Sequence, residues 1–206
     1  MRWNDIRLAL FLAMGVLASA GCDSDEGTVT AREEGGNPTD RAFVEAMVPH
    51  HRSAVAMAKV ARKRGTSQFV RQLADDIILT QKDEIATLRL EDEDLGRAGV
   101  KRGKLGVTEH QMGMDDDPAM LKDARPFDRA FIDMMIPHHQ GAITMARVEM
   151  EKGADPELQT LARDIIDAQT REIEMMNAHR RKEFGSASPA GGVPEGGEEH
   201  GSDHSG

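Results

Sequence analysis

Several kinds of residue are scarce in this sequence, and each shortage removes a class of function. There is a single cysteine, Cys22, a single tryptophan, Trp3, no tyrosine, and only six phenylalanines among 206 residues. One cysteine cannot close a disulfide within the chain or build a thiolate cluster, so a crosslinked scaffold and a zinc finger are both excluded. Basic residues are outnumbered as well, 26 Lys and Arg against 36 Asp and Glu, for a formal net charge of −10. Nucleic acid demands basic patches and stacking rings, so no nucleic acid is expected as a partner. Cations are the natural partners of such a chain.

Long apolar runs are lacking too. The run from Leu8 to Val16 is too short for a convincing membrane span. It lies in "MRWNDIRLALFLAMGVLASAGC", where two arginines precede it and small residues ending in Cys22 follow. That is the layout of a bacterial export signal over residues 1–21. Cys22 stands where a lipoprotein precursor is cut and acylated, and residues 22–38 read as a flexible tether. Ser19 occupies a position where a lipobox usually has a larger aliphatic residue, so a plain secreted protein is the alternative. The expected location is the bacterial cell envelope, periplasmic or extracytoplasmic, with a lipid tie to a membrane.

What the chain does contain is a duplication. "DRAFVEAMVPHHRSAVAMAKVARKRG" from residue 40 meets "DRAFIDMMIPHHQGAITMARVEMEKG" from residue 128, and the register continues at an offset of 88 through residues 88 and 176. Each copy reads as two helices joined at a glycine, Gly65 or Gly153, where a helix C-cap is expected. Asp155 and Pro156 supply an N-cap and a first-turn proline for the next helix. The fold class is therefore all-α, a four-helix bundle of two duplicated hairpins over residues 39–185. The repeats cover about 40–95 and 126–184. Residues 96–125, rich in glycine and charge, read as a long crossover or mobile loop, and residues 186–206 as a disordered tail.

At about 100° per residue, Phe43, Met47, His50, His51, Ala54 and Met57 share an inward arc, as do Phe131, Met135, His138, His139, Ala142 and Met145. The histidines thus fall on the buried stripe. Pro49 and Pro137 interrupt the hydrogen-bond ladder beside them. On the second helix of each hairpin, Gln81 and Glu84 interrupt the seam of Leu73, Ile77 and Leu88. Gln169 and Glu172 interrupt that of Leu161, Ile165, Met176 and His179. Buried polar groups need partners, and the facing histidines are candidates. The pairing can be hydrogen bonding alone, or carboxylates orienting metal-ligating imidazoles from behind.

Met47, Met135 and Met176 each precede a histidine, His50, His138 and His179, by three residues, which sets a thioether and an imidazole on adjacent helical turns. Carboxylate-bridged iron bundles have glutamate in that position. Thioether is soft and uncharged, so it favours Cu(I) or Ag(I) over hard ions. Methionines are concentrated in the second copy, whereas Thr87 and Leu88 stand where Met175 and Met176 recur, so the second copy is expected to build the better site. The crossover adds "HQMGM", with His110, Met112 and Met114 as a surface capture site or a plain loop; His200 and His204 in the tail are weaker candidates.

The twice-used frame "F-x3-M-[VI]-P-H-H-x5-[AT]-M-A", each followed by "LA-x2-II-x2-Q-x2-EI", resembles the family named domain of unknown function 305. The resemblance implies a ferritin-like four-helix bundle exported in bacteria, with several members associated with copper binding and resistance. It points to Met47, His50, His51 and Met57, to Met135, His138, His139 and Met145, and to the methionine-bearing loop. The expected function is a copper-binding protein without a reaction of its own, holding Cu(I), or the similar Ag(I), for buffering, resistance or transfer to copper-trafficking proteins. Two alternatives stay open: a ferritin-like di-metal oxidase using Glu84 and Glu172, and a metal-free helical interaction module of the envelope.

Overall fold

The computed structural model describes residues 35–114 and 117–194. The export signal, Cys22, His200 and His204 lie outside the described residues. Four long helices account for most of what is described: α1 (Pro38–Arg64), α2 (Gln68–Arg97), α3 (Phe127–Lys152) and α4 (Pro156–Phe184). There is no strand among the described residues, and no helix among them is long and apolar enough to cross a membrane. α1 packs on α2 and α3 on α4, and the hairpins meet chiefly through α1 and α3. The duplicated four-helix architecture is therefore the fold.

Local chemistry sets the helix ends. Asn37 and Asp40 form a capping box at the start of α1, with Pro38 in its first turn. Ser67 caps α2, and Asp155 caps α4 through the amides of Glu157 and Leu158. Gly65 and Gly153 do stand at the helix C-caps, but with φ of −53° and −68° rather than in the left-handed region. Glycine is needed there for closeness instead: a Cβ at Gly65 would crowd the Ala61 carbonyl, and one at Gly153 would strike the Glu149 carboxyl.

The "DRAF" aspartates join the two repeats. Asp128 accepts from the Thr66 amide and hydroxyl and from the Ser67 amide, each at 2.8 Å, so the second repeat caps the turn of the first. Asp40 accepts from the amides of Ala154 at 2.9 Å and Asp155 at 3.0 Å, returning the same service. Burial pushes the Asp128 carboxyl upward, but its bonds from Thr66 and Ser67 outweigh this and leave it below the ordinary carboxylate range.

Glu149 breaks the symmetry, since the first repeat has Ala61 at that place. It is fully buried, and neither of its oxygens has a donor. Burial first, and then the neighbouring Asp40, push it up to about 9, so it stays a carboxylic acid at neutral pH. In the unfolded chain its value would be 4.5. The folded state therefore holds a proton that the unfolded state releases, and stability falls as pH rises between those values. Thermal melts from pH 7 to 9, above the range where the buried His50 and His138 make stability rise with pH, should show that decline for the native chain, and Glu149→Gln should flatten it.

Two segments depart from expectation. The crossover is packed rather than mobile: Leu105 and Leu121 are buried, Arg41 donates to the Val100 carbonyl at 2.5 Å, and Arg64 donates to the Leu121 carbonyl at 2.6 Å. It also carries a short 3-10 turn, Pro118–Lys122. Residues 186–194, read from sequence as part of a disordered tail, run back along the bundle. Asn177 donates to the Gly191 carbonyl at 2.7 Å and accepts from the Ser188 amide at 2.9 Å, and Gln140 holds the carbonyls of Ala190 and Gly192. Side chains already anchored on α3 and α4 thus supply the partners that a low-complexity segment lacks by itself.

Candidate metal centre

Where α1 and α3 meet, four histidines are sealed from solvent: His50, His51, His138 and His139 are between 0% and 3% exposed. The rings of His50 and His138, one from each repeat, lie 3.7 Å apart between centroids at 35°, and His51 is 6.1 Å from His50. Burial, and next the neighbouring His51, push His50 down to about 3. Burial and then His50 hold His138 well below its ordinary value. Both are therefore neutral imidazoles at physiological pH, the form with a lone pair to give.

Three of the four rings have a polar neighbour at Nε2, and His138 has none. His50 Nε2 donates to the Met112 carbonyl at 2.9 Å, which leaves the lone pair of the neutral ring on Nδ1. His139 Nε2 lies 2.6 Å from Glu172 Oε2 in a hydrogen bond, and His51 Nε2 lies 2.9 Å from Glu84 Oε2, at an angle outside hydrogen-bond geometry. A carboxylate behind an imidazole favours the proton on the near nitrogen and turns the far one toward an ion. Nδ1 of His50, His51 and His139 and both nitrogens of His138 are buried without a partner among the described residues. So are the side-chain oxygens of Gln81 and Gln169. An unsatisfied buried polar group costs about 1–3 kcal/mol, and repeating that cost at one spot is the mark of a site built for a ligand.

The methionines are sorted by the crossing of α1 and α3 rather than by repeat. Met47 and Met145 share one apolar cluster with Phe43, and Met112 packs against it. Met57, Met135 and Met176 share the other with Phe131. Each of these two apolar clusters therefore holds methionines of both copies. Met114 is 37% exposed. His179 is not with the four histidines: its ring stacks on Phe69 with centroids 4.2 Å apart, while Met176 points into the core. No group of three or more His, Cys, Asp or Glu side chains among the described residues is arranged to hold a metal ion. Glu84 and Glu172 are spoken for by histidines, so the arrangement offers imidazole and thioether ligands and no carboxylate cage.

Fold and site together define a duplicated four-helix protein with a buried histidine cluster where its two repeats meet. The chain belongs to the family described as Domain of unknown function (DUF305), whose model matches residues 19–91 and 40–180. Among solved structures, CopM in the Cu(I)-bound form is 32% identical with a TM-score of 0.61, covering 70% of this chain and 97% of that one. CopM in the Ag-bound form, by soaking, is 32% identical with a TM-score of 0.60, covering 70% and 96%. A DUF305 fragment from Deinococcus radiodurans is 31% identical with a TM-score of 0.61, covering 72% and 99%. A curated relative, the uncharacterized protein L153 of Acanthamoeba polyphaga mimivirus, is 43% identical over 51 residues, or 25% of this chain. The match spans only about a third of that protein, 34%.

Proposed function

We propose that this protein is an exported, lipid-anchored binder of Cu(I), and of the similarly soft Ag(I), that holds its ion by histidine imidazole and methionine thioether. It buffers copper in the cell envelope or hands it to trafficking proteins, and it catalyses no reaction. The observation that carries this reading is the set of buried imidazole nitrogens without partners, on the two helices that also bury Met47, Met57, Met135 and Met145. Soft, low-coordinate ions suit such a set, whereas hard divalent ions want several oxygen ligands, and the carboxylates nearby are paired with His51 and His139. The CopM relatives, crystallised with Cu(I), Cu(II) and Ag, support the same metal class. Engagement of Glu84 and Glu172 by histidine disfavours the di-metal oxidase. Calorimetry under anaerobic conditions tests the reading. If the folded state binds preferentially, Cu(I) at about a hundredfold over Kd should add about 2.7 kcal/mol of stability. A melting temperature indifferent to Cu(I) would overturn it.

A further inference from the structure

Irregular backbone touches the buried histidine centre at Met112, whose carbonyl accepts from His50 Nε2 at 2.9 Å. We propose that residues 108–114 are a lid seated on α3 by Gly141, and that ions reach and leave the buried imidazoles when this turn lifts as a unit. The inference rests on the copper reading above.

The turn braces itself. The Gln111 side chain accepts from the Thr108 amide at 2.9 Å and from its hydroxyl at 3.1 Å. The Met112 amide donates to the carbonyls of Thr108 and Glu109, and Gly113 and Met114 donate to His110 and Glu109. These backbone bonds survive if the segment moves away from the bundle. Its tie to the centre is the Met112 carbonyl on His50 Nε2. Helices that share a continuous core separate only at the cost of that core, so the locally braced turn is the element that opens first.

Its seat is specific. A Cβ at Gly141 would fall on the Met112 carbonyl group, and a Cβ at Gly113 on the Pro137 carbonyl. Gly113 also has φ of +65°, a conformation that suits glycine. The first repeat carries Ser53 where the second has Gly141, so the seat exists on one side of the pseudo-symmetric bundle. Beside it runs a groove of about 350 Å³, lined by Gln111, Pro137, Gln140, Thr144 and Pro194 among others, through which solvent approaches the lid's edge.

Closure has a chemical consequence. The Met112 carbonyl keeps the His50 proton on Nε2 and commits Nδ1 to the ion, while lifting releases both nitrogens for exchange with an incoming ligand.

Gly141→Ala tests the lid in the full chain, because alanine is a better helix former than glycine and props the turn without touching a ligand. The expected result is Cu(I) transfer to a competing chelator roughly tenfold faster, corresponding to a destabilised closed state, with copper per chain and far-ultraviolet circular dichroism unchanged. Because the turn lifts intact its amides keep their own bonds, so opening is read at the imidazole it covers: His50 of the metal-free variant should react faster with diethyl pyrocarbonate than in the native chain. Gln111→Ala, which loosens the turn from within and leaves α3 intact, should act in the same direction. Unchanged transfer rates in both variants would overturn the proposal. A native chain that takes up no Cu(I) would overturn the copper reading. Reaction of His50 with diethyl pyrocarbonate then separates the failures: modification that quickens in both variants leaves the fault with the metal, and a His50 equally unreactive in the native chain and both variants leaves it with the lid.

Discussion

His138→Leu is expected to raise the melting temperature of the metal-free protein while removing most of its affinity for Cu(I). His138 is 3% exposed and has no partner for either nitrogen, so folding strips its hydration and returns nothing. Leucine fills a similar volume and removes a penalty of about 1–3 kcal/mol. At about 2–4 °C per kcal/mol for a chain of this size, the gain should be several degrees in a differential scanning experiment. Affinity should fall by at least about a hundredfold, since changes even to groups behind a ligand cost up to that much. A stability gain bought by loss of function is the signature of a functional residue in a core. If melting temperature falls and affinity holds, His138 is a packing residue.

Arg180→Ala should show the largest loss of stability. Arg180 is 1% exposed and grips Asp133 with two bonds, Nε to Oδ1 at 2.7 Å and Nη2 to Oδ2 at 3.0 Å. Its remaining nitrogen donates to the carbonyls of Ser186 at 2.7 Å and Ala187 at 2.8 Å. Alanine leaves a void, two carbonyls without donors, and an Asp133 carboxylate whose remaining partner is Arg129 at 3.6 Å, a loss of about 3 kcal/mol. Chemical denaturation measures the loss, and limited proteolysis should find new cleavage within residues 186–194. Arg180→Lys should rescue little, because a single ammonium cannot reproduce the fork.

The gross fold was legible because its signals are local. A gap-free repeat at an offset of 88, with Gly65, Gly153 and Asp155-Pro156 at helix boundaries, specifies two hairpins before any packing is known. The pairing of His51 with Glu84 and of His139 with Glu172 was legible too, since each falls on an inward strip of its helix. What escaped depends on how the hairpins meet. Asp40 and Asp128 read as members of a repeat frame, yet each caps the opposite repeat's turn, a role that exists only once α1 and α3 are apposed. The same apposition sorts Met47 with Met145 and Met57 with Met135, whereas helical spacing pairs each methionine with the histidine on its own strand of sequence. Glu149 stands where the aligned first repeat has Ala61, but spacing alone does not reveal that it is sealed beside Asp40. The tail was misread because Asn177, Arg180 and Gln140, which hold it, look like ordinary polar helix residues.

X-ray absorption at the copper edge of the full chain loaded anaerobically with one equivalent of Cu(I) tests the central claim most directly. The expected first shell contains imidazole nitrogen together with methionine sulfur, and the imidazole multiple-scattering signal weakens in His50→Leu and His138→Leu. A shell of oxygen scatterers alone, unchanged in those variants, would place the copper on surface carboxylates and contradict a metal centre between α1 and α3.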